Sequence, residues 1–412
     1  MILTIINYIA WYIFVFISVV WILVFLQNKN KIRDTTVKTY KLPSVTVIIP
    51  AYNEEKTIEK TIKSVLSLNY PKELLDVIVV NDCSTDRTKH IAEKFTSKGV
   101  VVLNNEKRMG KAYCLNKAIK ISKSELIACL DADSIVEKDI LTKMIPYFKD
   151  ESVACVAPAL KVWEKKSFLE KIQHAEYILN IFLRKCLEFL DAINVTPGVF
   201  SIYRKKVLEE VGGFDEGNLT EDMEIALRIH DAGYKIKNSH TAMSYTMCPK
   251  KWSELFKQRI RWYRGSIQNY VKYKHMLLNP KYGNLGVFFL PMNLIAVFSI
   301  IILLVTIAWN YTENIVDSIR NLFLVNFDLS FVFSNINLEN IVMQLMTTPM
   351  LLGLFGLFFG TYILYRAFNI SEDDPSESKM GFILYLLFFP FVLMLFWLLA
   401  IIYEILNIKK MW

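Results

Sequence analysis

The stretch Val45-Thr-Val-Ile-Ile-Pro-Ala-Tyr-Asn-Glu-Glu55 indicates how the segment that follows it folds. Residues 45–49 form a short apolar run rich in β-branched side chains, which is typical of a buried strand, and Pro50 is expected to end it. Residues 54–68 then show the apolar spacing of a helix. A buried strand that leads into a helix is the first half of a βαβ unit, so this stretch predicts a parallel sheet.

Three further apolar runs repeat this pattern along the chain. Strands are predicted at 76–80, 99–103 and 125–130, and helical patterns near 86–96 and 111–122 separate them. In a parallel sheet built this way, ligands bind outside the carboxyl ends of the strands. The sequence therefore predicts an α/β domain that is Rossmann-like and mostly parallel, with its functional residues immediately after the strands.

Acidic side chains follow three of these four predicted strands. Glu54 follows the first strand, Asp82 the second, and Asp131 and Asp133 the fourth. Carboxylates gathered at one sheet edge repel one another unless hydrogen-bond donors or a cation stabilise them. Two carboxylates one residue apart suit a hard divalent ion, so Mg²⁺ or Mn²⁺ is predicted at Asp131 and Asp133. The structural alternatives are an acid in a first helical turn for Glu54 and a helix cap for Asp86.

The apolar residues concentrate in four uncharged stretches, each long enough to cross about 30 Å of hydrocarbon as a helix. These stretches are 2–26, 285–311, 341–365 and 380–403. Pro291, Pro349 and Pro390 are each expected to kink or shorten a span. The predicted divisions are a transmembrane helix at 1–27, a cytosolic domain at 28–250, an interfacial amphipathic helix at 251–280, and a transmembrane region of about three helices at 281–412.

Basic residues predict the orientation in the membrane. Three of them directly follow the first span, namely Lys29, Lys31 and Arg33, so that side is expected to be cytosolic. Four spans would place the C-terminus outside, although Lys409 and Lys410 lie there. An interfacial or re-entrant piece near 323–333 is the alternative that would change the count.

The overall composition agrees with a membrane protein that faces the cytosol. The net charge is +8, and 53% of the residues are hydrophobic. No arginine-rich stretch with interleaved aromatic residues indicates nucleic-acid binding, so the charge favours anionic lipid headgroups as its partner. The six cysteines show no CxxC spacing, which favours free thiols in a reducing compartment over a disulfide framework or a zinc site.

The acidic series resembles the family 2 glycosyltransferases of GT-A fold, whose first strand ends in Pro-x-x-Asn-Glu and whose fourth ends in Asp-x-Asp. The resemblance implies that Pro50, Tyr52 and Glu54 border the nucleotide of a UDP-sugar and that Asp82 contacts the uracil ring. Asp131 and Asp133 would handle the ribose, the diphosphate and the metal. A further element, Arg108-Met-Gly-Lys111, matches the Gly-Lys element of the family, in which the lysine is suited to a phosphate.

Thr220-Glu-Asp222 opens a helical pattern over 223–232. In the structural interpretation, Thr220 caps this helix and the acids favour its N-terminus. In the functional interpretation, supported by the resemblance, Asp222 is the general base that takes the proton from an acceptor hydroxyl. Glu221 is then expected on the acceptor or diphosphate side of the same site.

Gln258-Arg-Ile-Arg-Trp262 lies on a predicted helix over 252–274, just before the second span. A basic aromatic helix beside a membrane is by default an interfacial anchor. The QxxRW pattern, however, resembles the processive synthases of cellulose, chitin, hyaluronan and poly-N-acetylglucosamine. The resemblance assigns acceptor or diphosphate contacts to a set of residues in this helix and in an earlier loop: Gln258, Arg259, Arg261, Trp262, Thr196, Pro197 and Gly198.

The resemblance implies an inverting β-glycosyltransferase of the plasma membrane that extends a polysaccharide from a UDP-sugar and exports the product. The motifs do not specify the sugar, and overall likeness to the family favours N-acetylglucosamine over glucose. The alternatives are a non-processive enzyme with a lipid acceptor and an inactive sensor or transporter. Four spans make a thin tunnel, so a small membrane subunit or a homo-oligomer is an expected partner. The apolar stripe of 168–190 either completes the domain core or lies on the membrane surface.

Overall fold

A computed structural model of the chain describes residues 2–32, 42–324, 327, 347–371, 373 and 379–408. Several features of the sequence lie outside these residues: Arg33, Lys409, Lys410, positions 325, 326 and 328–333 of the expected interfacial piece, and positions 341–346 of the third predicted span. The orientation signals that they carry stay predictions.

Eight strands form one mixed sheet in the order β3-β2-β1-β4-β7-β6-β8-β5. Their bounds are β1 Val45–Ala51, β2 Leu75–Asn81, β3 Val100–Asn104, β4 Leu126–Leu130, β5 Ser134–Val136, β6 Val153–Val162, β7 Val199–Arg204 and β8 Lys235–Thr246. The helices between them are α2 Ile58–Leu66, α3 Thr88–Glu93, α4 Lys111–Ile121, α5 Ile140–Met144, α6 Phe168–Phe189, α7 Lys205–Glu210 and α8 Glu221–Asp231.

The first half of the sheet has the predicted parallel arrangement. β1 pairs in parallel with β2 and β4, and β2 pairs in parallel with β3. Val47, Ile48 and Ile49 at the centre of β1 are fully buried, as expected for a strand covered on both faces. Pro50 does not end β1, because the strand continues to Ala51. A proline is tolerated this close to the strand end because it removes a single ladder hydrogen bond.

The second half of the sheet contains antiparallel pairs. β7 runs antiparallel to both β4 and β6, and β5 runs antiparallel to β8, whereas β6 and β8 are parallel. The α/β class is therefore confirmed, with a sheet that is mixed beyond β4. Since β4 lies at the centre, the acids that follow it face both halves.

The remaining helices are α1 Ile2–Asn28, α9 Trp252–Lys272, α10 Leu290–Leu324, α11 Thr348–Ser371, α12 Lys379–Leu387 and α13 Phe389–Ile405. Short 3₁₀ turns cover Lys29–Lys31, Lys72–Leu74, Thr96–Lys98, Ile145–Lys149, Lys274–Met276 and Pro280–Tyr282, and a π turn covers Leu285–Phe289. Three helical segments in the described chain are long and apolar enough to cross a membrane: Ile5–Lys31, Leu285–Thr306 and Met350–Ser371.

The fourth predicted span is a bent pair of helices. α12 and α13 meet at an angle of 50°, and Pro390 lies in the first turn of α13. The expected kink at Pro390 is therefore confirmed. Pro291 lies just after the π turn Leu285–Phe289, and its missing N–H explains why α-helical hydrogen bonding is interrupted there.

The helix α6 joins the sheet domain to the membrane-type helices. Ile172, Ala175 and Phe182 are buried in one apolar cluster with Phe25 of α1 and Phe368 of α11. α6 also contacts β6 and α12. Of the two interpretations of this apolar stripe, the structure supports a core role, in a core that the sheet domain shares with the membrane-type helices.

Gly381 of α12 lies directly against the backbone of α6. An added Cβ would lie 2.6 Å from the carbonyl oxygen and 2.8 Å from the carbonyl carbon of Lys171. Because backbone atoms cannot swing aside, we expect Gly381→Ala to cost about 1–3 kcal/mol and to lower the thermal unfolding midpoint in detergent. Gly356→Ala on α11 is the control, since a Cβ there meets nothing within 4 Å. Equal midpoints for the two variants would contradict this packing.

Candidate active site

A cavity of about 660 Å³ begins at the carboxyl end of β4 and continues between α1, α10 and α13. Ionisable side chains line its sheet end, and apolar side chains line its membrane end. The lining includes Lys111, Asp131, Asp133, Arg184, Pro197, Gly198, Glu221, Asp222, Gln258, Arg261, Trp262, Tyr263, Ile17, Trp21, Met292, Asn293, Ala296 and Trp397.

Lys111 lies at the centre of the sheet end of the cavity. Its Nζ is 2.5 Å from Asp131 Oδ1 and 3.1 Å from Glu221 Oε1. Burial alone would lower the pKa of Lys111, but these carboxylates raise it above its ordinary value. A Cβ on Gly198 would collide with Lys111 Nζ and lie 2.9 Å from both Asp131 carboxylate oxygens. A glycine at position 198 is therefore what allows the ion pair to form there.

Asp133 lies beside this pair in a drier environment. Burial raises the pKa of Asp133 to about 7, and Asp131 and Glu54 add to the effect by repulsion. The carboxylate accepts hydrogen bonds from Ser134 at 3.1 Å and from Thr246 at 3.4 Å. A nearby cation would stabilise the charged form of this carboxylate, which burial and the neighbouring acids disfavour.

The donor set at Asp131 and Asp133 fits a divalent ion that a ligand helps to hold. Within the described ranges, no group of three acidic, histidine or cysteine side chains could hold a metal by itself. Two neighbouring carboxylates supply hard oxygen ligands and leave the other coordination positions to ligand oxygens and water, as Mg²⁺ sites commonly do. These two residues could therefore hold the ion together with a bound diphosphate.

Asp222 lies in the second position of α8 and faces the same cavity. Burial raises the pKa of Asp222 to about 6, and the neighbouring Glu221 contributes by repulsion. Its backbone carbonyl accepts hydrogen bonds from the N–H and the hydroxyl of Thr196, at 3.2 and 2.9 Å. Thr196 thus holds the backbone of Asp222 and does not itself line the cavity. A carboxylate with a pKa in this range can accept a proton near neutral pH.

The capping interpretation of Thr220 is wrong for its side chain. Thr220 occupies the N-cap position of α8, but its side chain makes no capping hydrogen bond. The hydroxyl instead accepts a hydrogen bond from Asn269 Nδ2 at 3.0 Å. The side chain is thus committed to a contact with α9.

Asp82 holds the loop before Lys111. Its Oδ1 accepts hydrogen bonds from Asn105 Nδ2 and the Met109 N–H, and its Oδ2 accepts one from the Gly110 N–H, each at 2.8 Å. Burial opposes ionisation, but these donors lower the pKa of Asp82 below its ordinary value. Gly110 has a φ of 96°, which favours glycine. The predicted uracil residue therefore fixes the start of α4, and it does not line the cavity.

Pro50, Tyr52 and Glu54 also lie outside the cavity lining. The guanidinium of Arg108 lies 4.1 Å from the centre of the Tyr52 ring. Burial raises the pKa of Glu54, and Thr57 donates a hydrogen bond to it at 2.7 Å. Repulsion from Asp131 acts on Glu54 as well, so this end of β1 belongs to the same acidic cluster.

Asp86 has the structural role offered as its alternative. Its Oδ1 accepts the N–H of Thr88, the first residue of α3, at 2.9 Å. Its Oδ2 accepts the N–H of Glu55 at 3.1 Å. Asp86 thereby ties the start of α3 to the segment that follows β1.

The QxxRW residues of α9 divide between two faces of the helix. Gln258, Arg261 and Trp262 line the cavity, in agreement with their i, i+3, i+4 spacing. Arg259 points elsewhere: it is 2% exposed, and its Nη2 lies 2.6 Å from Glu176 Oε2 on α6. Arg259 therefore does not line this cavity, where its expected contact with the acceptor or diphosphate would be made.

Several lining residues were not singled out by the sequence. Arg184 of α6 faces the cavity, and burial lowers its pKa to about 10 although Asp222 acts in the opposite direction. In the sequence, Arg184 stands out only as a basic residue within the apolar stripe of 168–190. Tyr263 and Trp397 stack with ring centres 4.3 Å apart. No sequence pattern links these two residues, since they belong to distant helices.

Comparisons with known proteins agree with this geometry. Residues 46–212 match the model of the family described as glycosyl transferase family 2. The poly-beta-1,6-N-acetyl-D-glucosamine synthase of Staphylococcus aureus (strain COL) is 33% identical over 261 residues, 61% of this chain and 63% of the relative. The synthase of the same name from Staphylococcus epidermidis matches with the same identity and coverage. The matched part thus spans less than two thirds of the length of these relatives.

One solved structure is similar over nearly the whole chain. The mannosyltransferase PcManGT from Pyrobaculum calidifontis, in complex with GDP-Man and Mn²⁺, aligns with a TM-score of 0.64 at 18% identity. The alignment covers 99% of this chain and 98% of that one. At this identity the likeness establishes the fold, and the family match establishes the kind of domain. Residues 46–212 therefore form a family 2 glycosyltransferase domain, and the chain has the GT-A type of fold, with helices of membrane-spanning length joined to the sheet.

Proposed function

We propose that the chain is a membrane-bound, inverting β-glycosyltransferase that extends a polysaccharide from a UDP-sugar. The observation that carries this proposal is a single cavity that holds Asp131, Asp133 and Asp222 and continues between the membrane-type helices. The names of the Staphylococcus relatives favour N-acetylglucosamine as the sugar. Because nucleotide sugars are made in the cytosol, residues 28–280 are placed on that side of the plasma membrane, in agreement with Lys29 and Lys31.

The transfer is a single displacement at the anomeric carbon. The acceptor hydroxyl oxygen forms a bond to this carbon while the bond to the diphosphate oxygen breaks on the opposite face, so the configuration inverts. The hydroxyl proton passes to the Asp222 carboxylate, and the nucleoside diphosphate leaves with the bonding electron pair. The elevated pKa of Asp222 suits it to accept that proton.

Cationic groups of this chain balance the charge of the leaving diphosphate. Lys111 and Arg261 both border the cavity next to the acids. Asp131 and Asp133 would hold Mg²⁺ or Mn²⁺, which neutralises charge on the diphosphate oxygens when bound. The Mn²⁺ and GDP-Man named with the similar solved structure support this assignment. Gln258 Oε1 is buried and has no hydrogen-bond partner among the described residues, so it is available to a ligand.

The rest of the cavity supports a carbohydrate acceptor. Trp262, Tyr263, Trp397 and Trp21 place aromatic rings along its wall, and flat apolar ring faces suit the apolar faces of sugars. A growing chain would leave between α1, α10 and α13, with a membrane subunit or a second copy of the chain completing the path.

A second candidate is a lipid acceptor that receives a single sugar. The observation that favours it is the membrane end of the cavity, where Ile17, Met292 and Ala296 provide apolar walls. These apolar walls can accommodate a hydrocarbon chain as well as a sugar. Asn293 is a polar residue in the same part of the lining.

Incubation of purified protein in lipid nanodiscs with Mn²⁺ and radiolabelled UDP-N-acetylglucosamine separates the two candidates. A high-mass product that a β-hexosaminidase degrades supports the polysaccharide. A product that partitions into organic solvent supports the lipid acceptor. Release of UDP without a labelled product of either kind would contradict both.

Asp222→Asn removes the proton acceptor while preserving the size of the side chain. We expect kcat to fall by about 10²–10⁴-fold, which is the contribution typical of a general base. The KM for the nucleotide sugar should change little, because the groups assigned to the donor lie after β4, at the start of α4 and on α9. Asp231→Asn is the matched control: Asp231 ends the same helix and instead accepts a hydrogen bond from Tyr282 at 2.8 Å.

The pH dependence of the wild-type enzyme gives an independent test of Asp222. Glu221, Lys111, Arg261 and Arg184 face this carboxylate, and its pKa is raised to about 6. At saturating metal, kcat/KM should therefore be lost as the pH falls through about 6, because a protonated carboxylate cannot accept the proton. Activity that persists unchanged down to pH values near an ordinary aspartate pKa of about 4 would remove the assignment.

Gly198→Ala tests the placement of Lys111. The added Cβ meets the flexible tip of Lys111 and the carboxylate end of Asp131, and both side-chain ends can move away, so the fold should tolerate the change. The displaced ammonium would no longer bridge Asp131 and Glu221, and we expect activity to fall on the order of 10- to 100-fold. Gly217→Ala is the control, since its Cβ would lie at an ordinary 3.4 Å from Asp215 Oδ1. Wild-type activity of Gly198→Ala would show that this position of Lys111 is unimportant.

A further inference from the structure

The backbone of α9 lies directly against the turn that carries Asp222. A Cβ on Gly265 would lie 2.5 Å from Thr220 Cγ2 and would collide with Thr220 Oγ1. Thr220 immediately precedes Glu221 and Asp222, which both line the cavity. Only a glycine at position 265 allows this close approach, so α9 touches the turn with no side chain between them.

Asn269, one helical turn after Gly265, completes this contact through hydrogen bonds. It is fully buried, and its Nδ2 donates to Thr220 Oγ1 at 3.0 Å. Its Oδ1 accepts from Asn218 Nδ2 at 2.8 Å, and Asn218 Oδ1 accepts the Thr220 N–H at 3.0 Å. The side chain of Thr220 is therefore held directly from α9, and its N–H is held through Asn218, whereas its carbonyl accepts the Glu224 N–H of α8 at 3.0 Å.

The part of α9 that contains Gly265 and Asn269 is also bound to α13. Glu404 of α13 lies 2.8 Å from Arg264 Nε, and it accepts a hydrogen bond from Gln268 Nε2 at 2.8 Å. Arg264 directly precedes Gly265, and Gln268 directly precedes Asn269. Their contacts with Glu404 therefore link the position of α13 to the position of Thr220.

We propose that Gly265 and Asn269 are positioning residues that align Asp222, and that α9 transmits the position of α13 to this base. Asn269 lies outside the cavity lining, so it acts through Thr220 and not on a ligand. The Glu404 contacts extend this role to the membrane region, because a shift of α13 would move the helix that fixes the base. The proposal rests on the proposed sugar transfer, in which Asp222 is the base.

The test compares Asn269→Ala with Thr220→Val, which keeps the shape of the threonine but removes the acceptor oxygen. Each is expected to lower kcat on the order of 10- to 100-fold through misplacement of the base. The KM for the nucleotide sugar should stay at the wild-type value, because Lys111, Asp131 and Asp133 lie on other elements and α9, which carries Gln258 and Arg261, stays bound to α13. The double variant should be no slower than the slower single variant, because each single variant already removes the same hydrogen bond between Asn269 and Thr220.

Lys257→Ala, on the exposed side of α9, is the control and should retain wild-type kinetics. Glu404→Ala should lower kcat and also raise the donor KM, because a shift of α9 moves Gln258 and Arg261 together with Thr220. The proposal is overturned if Asn269→Ala and Thr220→Val keep the wild-type kcat, if the donor KM of these two variants rises as their kcat falls, or if their effects multiply in the double variant. Absence of sugar transfer by the wild type would instead reject the proposed function before any variant is compared.

Discussion

The ion pair between Lys111 and the two carboxylates around it is the interaction on which the site depends. Asp131 follows β4, Glu221 begins α8, and Lys111 begins α4, so one ammonium group joins three separate parts of the domain. Without this cation, the partly buried carboxylates at the sheet end of the cavity would repel one another. The position of Lys111 is in turn set by Asp82, which holds the Gly110 backbone, and by the space that Gly198 leaves.

A second constraint comes from the helices between the sheet and the membrane-type helices. α6 contributes buried residues to a core shared with α1 and α11, and α9 carries cavity residues on one face and contacts with α13 on another. The residues proposed for catalysis therefore line a cavity that the sheet domain shares with the membrane-type helices. This arrangement explains why one cavity extends from the strand ends to those helices, and in the proposed function it would let an acceptor from the membrane side reach Asp222.

The sequence predicted the part of the fold in which local pattern and tertiary environment agree. β1, β2 and β4 are largely buried runs of β-branched and aliphatic residues, and the acids that follow them are local to each run, whereas β3 is an apolar edge strand that is partly exposed. The strands β5 to β8 were not predicted, and the antiparallel pairing of β7 with β4 and β6 depends on contacts between distant segments. Similarly, the pattern QxxRW could not show that Arg259 turns toward Glu176, because that partner lies on α6. The resemblance assigned Thr196 and Asp82 to ligands, whereas the structure shows them holding backbone atoms of Asp222 and of the Gly110 loop.

The stereochemistry of the product shows whether the transfer is the direct displacement in which Asp222 activates the acceptor hydroxyl. The protein would be supplied with Mn²⁺, a UDP-sugar whose anomeric carbon is in the α configuration, and an acceptor that yields a soluble product. The configuration of the new linkage would then be read from the proton coupling at the anomeric carbon by NMR. Direct displacement predicts a β linkage from the first turnover. An α linkage would contradict it, because retention of configuration requires a mechanism other than one displacement assisted by a base.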